Sequence, residues 1–445
     1  MTILHKVQNY IQQHQLLQPD KSIIVGLSGG KDSVALIHIL ISLGYKCIAA
    51  HCNFHLRDEE SNRDEHFSES FSKSLDIPFF KINFDTKQYA RVNQVSIEMA
   101  ARDLRYNWFY KLLQTNDAQA IAIAHHADDS IETMLMNLVR GTGLKGLTGI
   151  ANKNNKVVRP LLCCSRMDVD KYIIDNHLTH IEDSSNATLE YQRNKFRNVI
   201  IPMLEEINPS VRQTLYGSIN RLAGTLAIYN DAIDKIKNDL IERENETIKI
   251  KIASILNHAQ PHTILYELVQ EYGFNYDNII QIVEQLNNES GKVFYSNSHR
   301  IIIDRDFLII NELNIDKNYN KSYIINAEND ENTELPIKFN ISKINNLINF
   351  SVSKNKDCIH LDSEKIKFPL VLRHWHEGDT FFPLGMTNKK KVSDFFINNK
   401  FSLLDKENTW LLLSENNIVW IVGHRIDDRF KVTEGTKTII EFRII

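Results

Sequence analysis

The chain is poor in the features that mark secreted, membrane or strongly basic proteins. Its 445 residues hold five cysteines, Cys47, Cys52, Cys163, Cys164 and Cys358. They form no Cys-x-x-Cys pair and no zinc-finger spacing, which argues against a disulfide framework and suits a reducing compartment. No stretch approaches the roughly 18 apolar residues of a membrane span, and the first twenty residues lack the apolar core of a secretion signal. A cytoplasmic protein with no membrane partner is expected. An excess of positive charge is missing too, because 52 Lys plus Arg stand against 56 Asp plus Glu for a net charge of −4. Any nucleic-acid surface must therefore be local. The length exceeds what one growing core supports, so two or three domains are expected.

What is present is a phosphate loop. Ile23, Ile24, Val25 and Leu27 read as a buried strand, residues 34–43 form a mostly apolar helical run closed by Gly44, and Ser28-Gly29-Gly30-Lys31-Asp32-Ser33 lies between them. A loop at a helix N-terminus presents unpaired backbone N–H groups and the positive end of the helix dipole, and its glycines let an anion approach the backbone. Walker A does not fit, since only three residues separate Gly26 from Gly30 and Asp32 follows Lys31. Gly141, Gly143 and Gly146 satisfy Gly-x-Gly-x-x-Gly but follow a helical pattern rather than a strand, so a dinucleotide fingerprint is rejected.

From residue 23 to about 125, strand-like runs near 23, 47–51, 79–84 and 120–124 alternate with helical patterns. This predicts an α/β, doubly wound parallel sheet with ligands at the carboxyl ends of its strands, where Ser28, His51 and His125 fall. Past Pro202 and Pro209 the pattern becomes long-period and helical, ending in a hairpin over 299–310 that turns at 304–306. Residues 313–345 are rich in Asn, Asp, Glu and Lys, and the last hundred alternate short strands with turns. The predicted domains are 1–210, a nucleotide-binding catalytic domain; 211–315, mainly helical; 316–345, a polar linker or insertion; and 346–445, small and mostly β.

Three polar clusters carry chemistry. In the first, His125-His126-Ala127-Asp128-Asp129-Ser130-Ile131-Glu132-Thr133, the carboxylates Asp129 and Glu132 share a helix face. Carboxylates beside a nucleotide site can bind Mg²⁺, or hold and deprotonate an amine. Acidic residues also simply complement helix N-termini, which would explain Asp128 alone but not two histidines and a second on-face carboxylate. In the second, running from Glu182 to Arg197, Arg193 and Arg197 stand one helical turn apart and Asn194 shares a face with Arg197, a geometry that can clamp phosphate. Exposed helical arginines are more often solvated. In the third, Arg373-His374-Trp375-His376, Lys389-Lys390-Lys391, His424-Arg425 and Arg429-Phe430-Lys431 interleave cations with rings. RNA surfaces use this mixture, because cations meet phosphates while rings stack on bases.

The loop resembles the Ser-Gly-Gly-x-Asp-Ser signature of the PP-loop ATP pyrophosphatases. The wider pattern is similar to one subgroup, the tRNA(Ile)-lysidine synthetases, over nearly the full length. The element His51-Cys52-Asn53-Phe54-His55-Leu56-Arg57 resembles the family's His-x-Asn-His-x-Leu-Arg, with Phe54 as an interruption, and 98–106 resembles Glu-x-x-Ala-Arg-x-x-Arg-Tyr. Residues 125–133, 140–147, 159–162, 182–186 and 193–197 continue the match in order. His374 and His376 stand where the family usually has basic residues.

The resemblance implies that ATP adenylates the O2 oxygen of the wobble cytidine in an isoleucine tRNA with a CAU anticodon, and that the ε-amine of L-lysine then displaces AMP. It implies a phosphate cradle of Ser28, Gly29, Gly30 and Ser33, with Lys31 at the variable position, and Asp32 as the Mg²⁺ ligand. His51, Asn53, Arg105, His125 and Asn194 would bind the nucleotide. Asp129 and Glu132 would seat the lysine, with Arg197 steadying the charged transition state. Arg373, Lys389, Lys390, Lys391 and Arg425 would meet tRNA. A homodimer is the oligomer it points to.

The rivals are a tRNA thiolase on the same loop, which would use paired cysteines where this chain has only the adjacent Cys163-Cys164, and a non-catalytic RNA-binding protein, against which Asp32, Asp129 and Glu132 argue. Changing Lys389, Lys390 and Lys391 together to Ala is expected to weaken tRNA binding and flatten its salt dependence in filter-binding titrations. An unaltered slope would return that stretch to an ordinary solvated turn.

Overall fold

The computed structural model describes residues 2–445 apart from 57, 183–191, 245–246, 289–290, 314–320, 327–334, 346–349 and 354. The chain divides into two compact units, Met1–Ala232 and Ile233–Ile445.

In the first unit, helix α1 (Ile3–Gln13) precedes strand β1 (Ile23–Gly26), helix α2 (Lys31–Ser42), β2 (Cys47–Asn53), α3 (Asp58–Ser74) and β3 (Phe79–Asn83). Then come α4 (Thr86–Asn93), α5 (Ile97–Thr115), β4 (Ala120–Ala122), α6 (Ala127–Arg140), α7 (Leu144–Leu147), β5 (Lys153–Asn154) and β6 (Val157–Val158). The sheet order is β3-β2-β1-β4-β6-β5, parallel except for the last pair. Ile23, Ile24 and Val25 are fully buried because helices cover both faces. Ile23 and Val25 pack with Val34 and Leu36 of α2, whereas Ile24 packs with Phe109 and Leu112 of α5. Strand order reverses between β1 and β4, and at such a switch point the strand ends leave a crevice. The predicted doubly wound sheet is therefore present.

The phosphate loop joins β1 to α2 as expected. Gly30 is the α2 N-cap and offers no side chain to the first-turn N–H groups, which leaves them available to an anion. The loop is held by the Ser33 hydroxyl, which donates to Gly30 O (2.8 Å) and accepts from Ser28 N–H (3.2 Å). Gly29 has φ +86°, and Ile181 N–H donates to its carbonyl at 2.9 Å.

Beyond β6, the unit adds α8 (Arg166–Asp175), α9 (Gln192–Lys195), a π-helical turn over Phe196–Ile200, α10 (Ile201–Ile207) and the long α11 (Val211–Leu240) as far as Ala232. A regular α-helix was expected through 193–197. The π turn instead inserts a residue into the helical repeat just where Arg197 lies, and such turns re-aim side chains.

In the second unit, the helices Ile252–Leu256, Pro261–Val269 and Tyr276–Gln285 accompany a five-stranded antiparallel sheet. Its hairpin, His299–Asp304 with Phe307–Glu312, turns at Arg305 with φ +46°, as the sequence predicts. The rest is mostly antiparallel β. One sheet orders Ser322–Ile325, Leu370–His374, Trp410–Ser414, Asn417–Ile421 and Arg425–Ile426, and another orders Phe339–Ile344, Ile439–Ile444 and Cys358–Asp362. The polar stretch 316–345 thus differs from a free linker, because its described parts supply a strand to each sheet. Tyr323 and Ile341 pack on the core while their neighbours Ile324 and Asn340 are exposed, so each strand has one buried side.

An alanine methyl at Gly29 would be strained by the positive φ, at about 1 kcal/mol, and would come within 3.3 Å of the Ile181 and Phe67 side chains. Gly29→Ala is expected to weaken ATP binding several-fold in calorimetric titration while leaving the circular dichroism spectrum unchanged. Equal affinity would show that the loop needs no glycine there.

Candidate active site

An open cleft of about 1210 Å³ lies beside the phosphate loop, at the carboxyl ends of β1 and β4. Ser28, Gly30, Lys31, Asp32 and Ser33 form one wall, with Arg105, His125, Arg166 and Arg197 around it. Small and apolar side chains, Ala50, Cys52, Phe54, Phe109 and Ile123, line another part, a surface suited to a planar ring.

The short β4 ends at Ala122 and α6 begins at Ala127, so the segment between them and the first turns of α6 deliver two histidines and three acids to one place. Asp129 Oδ2 accepts the His126 N–H at 2.9 Å and so caps its own helix. Glu132, one turn on, is fully buried. A buried carboxylate must be paired, and Arg197 supplies the partner. Its Nε donates to Glu132 Oε1 at 2.6 Å, and its Nη2 donates to Glu132 Oε2 at 3.0 Å and to Asp129 Oδ1 at 3.3 Å. Arg193 Nε stands 3.4 Å from Glu132 Oε2. Residues more than sixty apart in sequence therefore share one charge cluster. Burial opposes ionisation of Asp129, but the rings of His126 and His125, the His126 N–H and Arg193 outweigh it and hold the carboxyl below its ordinary range. Burial likewise opposes the Arg197 charge, and Glu132 with Asp129 raises its pKa despite that.

Asp32 behaves in the opposite way. Burial, aided by the charge of Asp129, pushes its carboxyl up, and its Oδ1 is buried with no hydrogen-bond partner. His126 is wholly buried, with Nε2 3.8 Å from Asp32 Oδ2 and Nδ1 3.5 Å from Asp129 Oδ2, and neither ring nitrogen makes a hydrogen bond. An orphaned, hard carboxylate oxygen at the mouth of a phosphate loop fits a divalent cation such as Mg²⁺.

Other expected residues stand in the cleft wall, as Lys31, Arg105 and His125 do, or behind it. His51 is buried with Nδ1 bonded to Leu27 O at 2.9 Å, which braces the entry to the phosphate loop. Asn53 is also buried and binds Glu65 and Asn62 of α3 while accepting the His55 N–H. Lys31 is salt-bridged to Asp170. Asn194 is buried beside Arg197 in sequence but does not line the cleft. Arg105 lies over the Phe54 ring at 5.2 Å. His125 Nδ1 accepts from Arg159 Nε at 3.1 Å, and burial pushes the imidazole down to about 4, so it is neutral at pH 7. Arg57, 183–186 and Tyr191 lie outside the described residues.

Four residues gain a place that no role was given in the sequence. Arg159 orients His125 and ties Ala151 O at 2.7 Å. His126 sits among three carboxylates, with Asp128 Oδ2 3.8 Å from its Nδ1. Arg166 lines the cleft 4.0 Å from Glu132. Arg212 Nη1 donates to Asp128 Oδ1 at 2.5 Å, and Asp128 Oδ2 accepts the Arg166 N–H at 2.7 Å. The polar run 125–133 carried the signal for His126 and the motif at 159–162 for Arg159, whereas Arg166 closes a mostly apolar run without one. Arg212, on the long helical pattern, carried none.

In the second unit, Lys389 and Lys391 are exposed, and Lys390 is half-buried in a short ribbon with Phe381. Arg373 spends its guanidinium on Asp379, at 2.7 and 2.8 Å, and Arg425 Nη2 donates to Leu384 O at 2.6 Å. Arg373 thus fastens its own turn.

Residues 2–204 match the family model described as a PP-loop domain, and 243–313 match the TilS substrate binding domain. Among curated proteins, the chain is similar to the tRNA(Ile)-lysidine synthase of Parabacteroides distasonis, at 45% identity over 98% of this chain and 99% of the relative. It is similar to the enzyme of that name from Bacteroides thetaiotaomicron at 41% over 100% of both, and from Clostridium acetobutylicum at 31% over 99% of both.

Asp128 is 3% exposed, and burial opposes its charge, yet the Arg166 N–H and Arg212 hold its carboxyl below the usual range. A depressed folded-state pKa contributes stability that is present above the unfolded value, about 3.9, and lost as pH falls through the folded value. Asp128→Asn is expected to cost about 1–3 kcal/mol in urea unfolding at pH 7, with the deficit shrinking below about pH 4. A deficit that stays constant across that range would show that the Asp128 charge contributes nothing.

Proposed function

Because the chain belongs to the tRNA(Ile)-lysidine synthase family, we infer that it uses ATP to attach L-lysine to carbon 2 of the wobble cytidine of an isoleucine tRNA with a CAU anticodon, releasing AMP and pyrophosphate. The observation that carries the reading is a phosphate loop at a cleft that Arg197 also lines, with the buried carboxylates Asp129 and Glu132 paired to that guanidinium from behind the cleft wall. The rival thiolase is not favoured: Cys163 Sγ lies 3.7 Å from Cys164 Sγ and faces the carbonyls of Lys6 and Pro160, and neither cysteine lines the cleft.

In this reading Ser28, Gly29, Gly30, Ser33 and the free N–H groups of the α2 first turn hold the phosphates. Asp32 holds Mg²⁺, which when bound neutralises the pyrophosphate leaving group. The apolar wall and Arg105 accept the base, with His51 and Asn53 supporting that wall from behind. Neutral His125 is a hydrogen-bond donor through Nε2, because Arg159 occupies Nδ1. A carbonyl oxygen leaves poorly until it carries AMP, and an amine with a reference pKa near 10.4 must lose a proton before it attacks. ATP at the phosphate loop meets the first need, and Asp129 and Glu132 meet the second by seating the ammonium and drawing its proton. Arg197 already holds those oxygens, so guanidinium and ammonium compete for one seat. An arriving nucleotide offers Arg197 a second anionic partner, and Asn194 steadies the segment that bears it. Lys389, Lys390 and Lys391 contact tRNA phosphate from the second unit. Arg425 contributes there only through the guanidinium nitrogens that Leu384 O leaves unused, and Arg373 keeps the turn in shape. A homodimer is the proposed assembly.

Purified protein given ATP, Mg²⁺, labelled lysine and the CAU isoleucine transcript is expected to place lysine in the RNA. Sulfur uptake from a donor in place of lysine would reject the reading. In the same assay Glu132→Gln is expected to raise the lysine KM at least about tenfold, the factor expected from losing one charge-assisted bond of about 1.5–3 kcal/mol, with tRNA affinity unchanged. A loss confined to RNA binding would remove the carboxylate from the lysine seat.

A further inference from the structure

The three-stranded sheet of the second unit carries a polar cluster that the reaction does not use. Strand Cys358–Asp362 runs antiparallel to Ile439–Ile444, with His360 opposite Glu441 and Cys358 opposite Arg443. Side chains two apart on a strand share a face, so Cys358, His360, Glu441 and Arg443 stand on one side. Ile359, Leu361, Ile440 and Phe442 fill the core on the other. The polar side is nevertheless shielded. Cys358 and His360 are 6% and 5% exposed, and the Phe350 ring meets His360 edge-on at 4.9 Å.

On that side a thiol, an imidazole nitrogen and a carboxylate oxygen all lie within 4.8 Å of one another. The partners of the cluster leave its inward atoms facing each other. Arg443 Nη2 donates to Glu441 Oε1 at 3.2 Å, so Oε2 is the oxygen turned to His360 Nε2, at 2.9 Å. His360 Nδ1 has only a long contact, 3.4 Å, from Ser353 N–H. A His–Glu hydrogen bond with a thiol as core filler would account for two of the three residues. It gives no reason for sulfur, nitrogen and oxygen donors to converge in a shielded place where Arg443 orients the carboxylate from outside.

We propose that Cys358, His360 and Glu441 bind one Zn²⁺-like divalent ion, with a water as fourth ligand. The donor set selects a borderline-soft metal, since Mg²⁺ and Ca²⁺ take oxygen ligands. Loading releases the thiol proton to solvent and leaves a thiolate. The imidazole proton moves from Nε2 to Nδ1, which gives up the Ser353 contact. Thiolate and carboxylate together balance the two charges of the ion, and Arg443 stays on Glu441 Oε1 as an outer support. The ion would clip Cys358–Asp362 to the C-terminal strand, a structural role separate from the nucleotide cleft.

The test uses the full-length protein, stripped with a chelator and titrated with Co²⁺ alone. One equivalent is expected to bind, giving a sulfur-to-cobalt charge-transfer band that Zn²⁺ abolishes and a rise in Tm. Cys358→Ser is expected to remove the band, and His360→Gln to weaken Co²⁺ binding at least about tenfold, both with unchanged circular dichroism. Cys163→Ser and Asp32→Asn should keep the band, which separates this site from the other thiols and from the nucleotide cleft. Wild-type protein without a thiolate band, or a band that survives Cys358→Ser, overturns the proposal. Neither result depends on catalytic activity.

Discussion

Burial of acid at the start of α6 is the constraint on which the first unit depends. Asp128, Asp129 and Glu132 are each under a tenth exposed, and an uncompensated buried charge costs about 3–5 kcal/mol when its partner is removed. The chain answers with guanidinium groups from distant places: Arg197 from the π turn, Arg212 from α11, and Arg193 from α9. Elements that share little apolar surface with the parallel sheet are thereby fastened to its active edge. The apolar contacts of Ile131 and Met134 with Ile201 and Ile219 complete the attachment.

The same edge keeps some polar atoms unmatched, and these mark where a ligand completes the structure. The α2 first turn has no side-chain cap, Asp32 Oδ1 has no donor, and His126 keeps both ring nitrogens unbonded inside a shell of carboxylates. Protein interiors rarely tolerate such atoms without a reason. Beside them stand paired supports: Ser33 closes the loop, His51 braces Leu27, and Arg159 fixes the His125 tautomer. Saturated supports beside unsaturated contact points are the arrangement of a site prepared for a charged substrate.

Legibility in the sequence followed the range of the interactions involved. The strand, loop and helix at 23–43 were readable because apolar runs and glycines act locally, and the hairpin at 299–312 because its turn residues stand between two apolar strands. The strands within 316–345 were obscured because they are short, four and six residues, within a stretch rich in Asn, Asp, Glu and Lys. Arg373 looked like an RNA contact because a cation beside rings has that composition. Only the position of Asp379, six residues on and folded back, shows it occupied.

By itself the sequence determined the phosphate loop, the alternation that makes a parallel sheet, and the residue types of each polar cluster, because these depend on local conformation and burial pattern. The tertiary structure decided which charges meet. Asp129 and Glu132 share Arg197, Asp128 takes Arg212 from more than eighty residues away, and Cys358 and His360 find Glu441 across a strand pair. Pairing at such distances depends on strand register and on helix phase, which one extra residue in the π turn is enough to change.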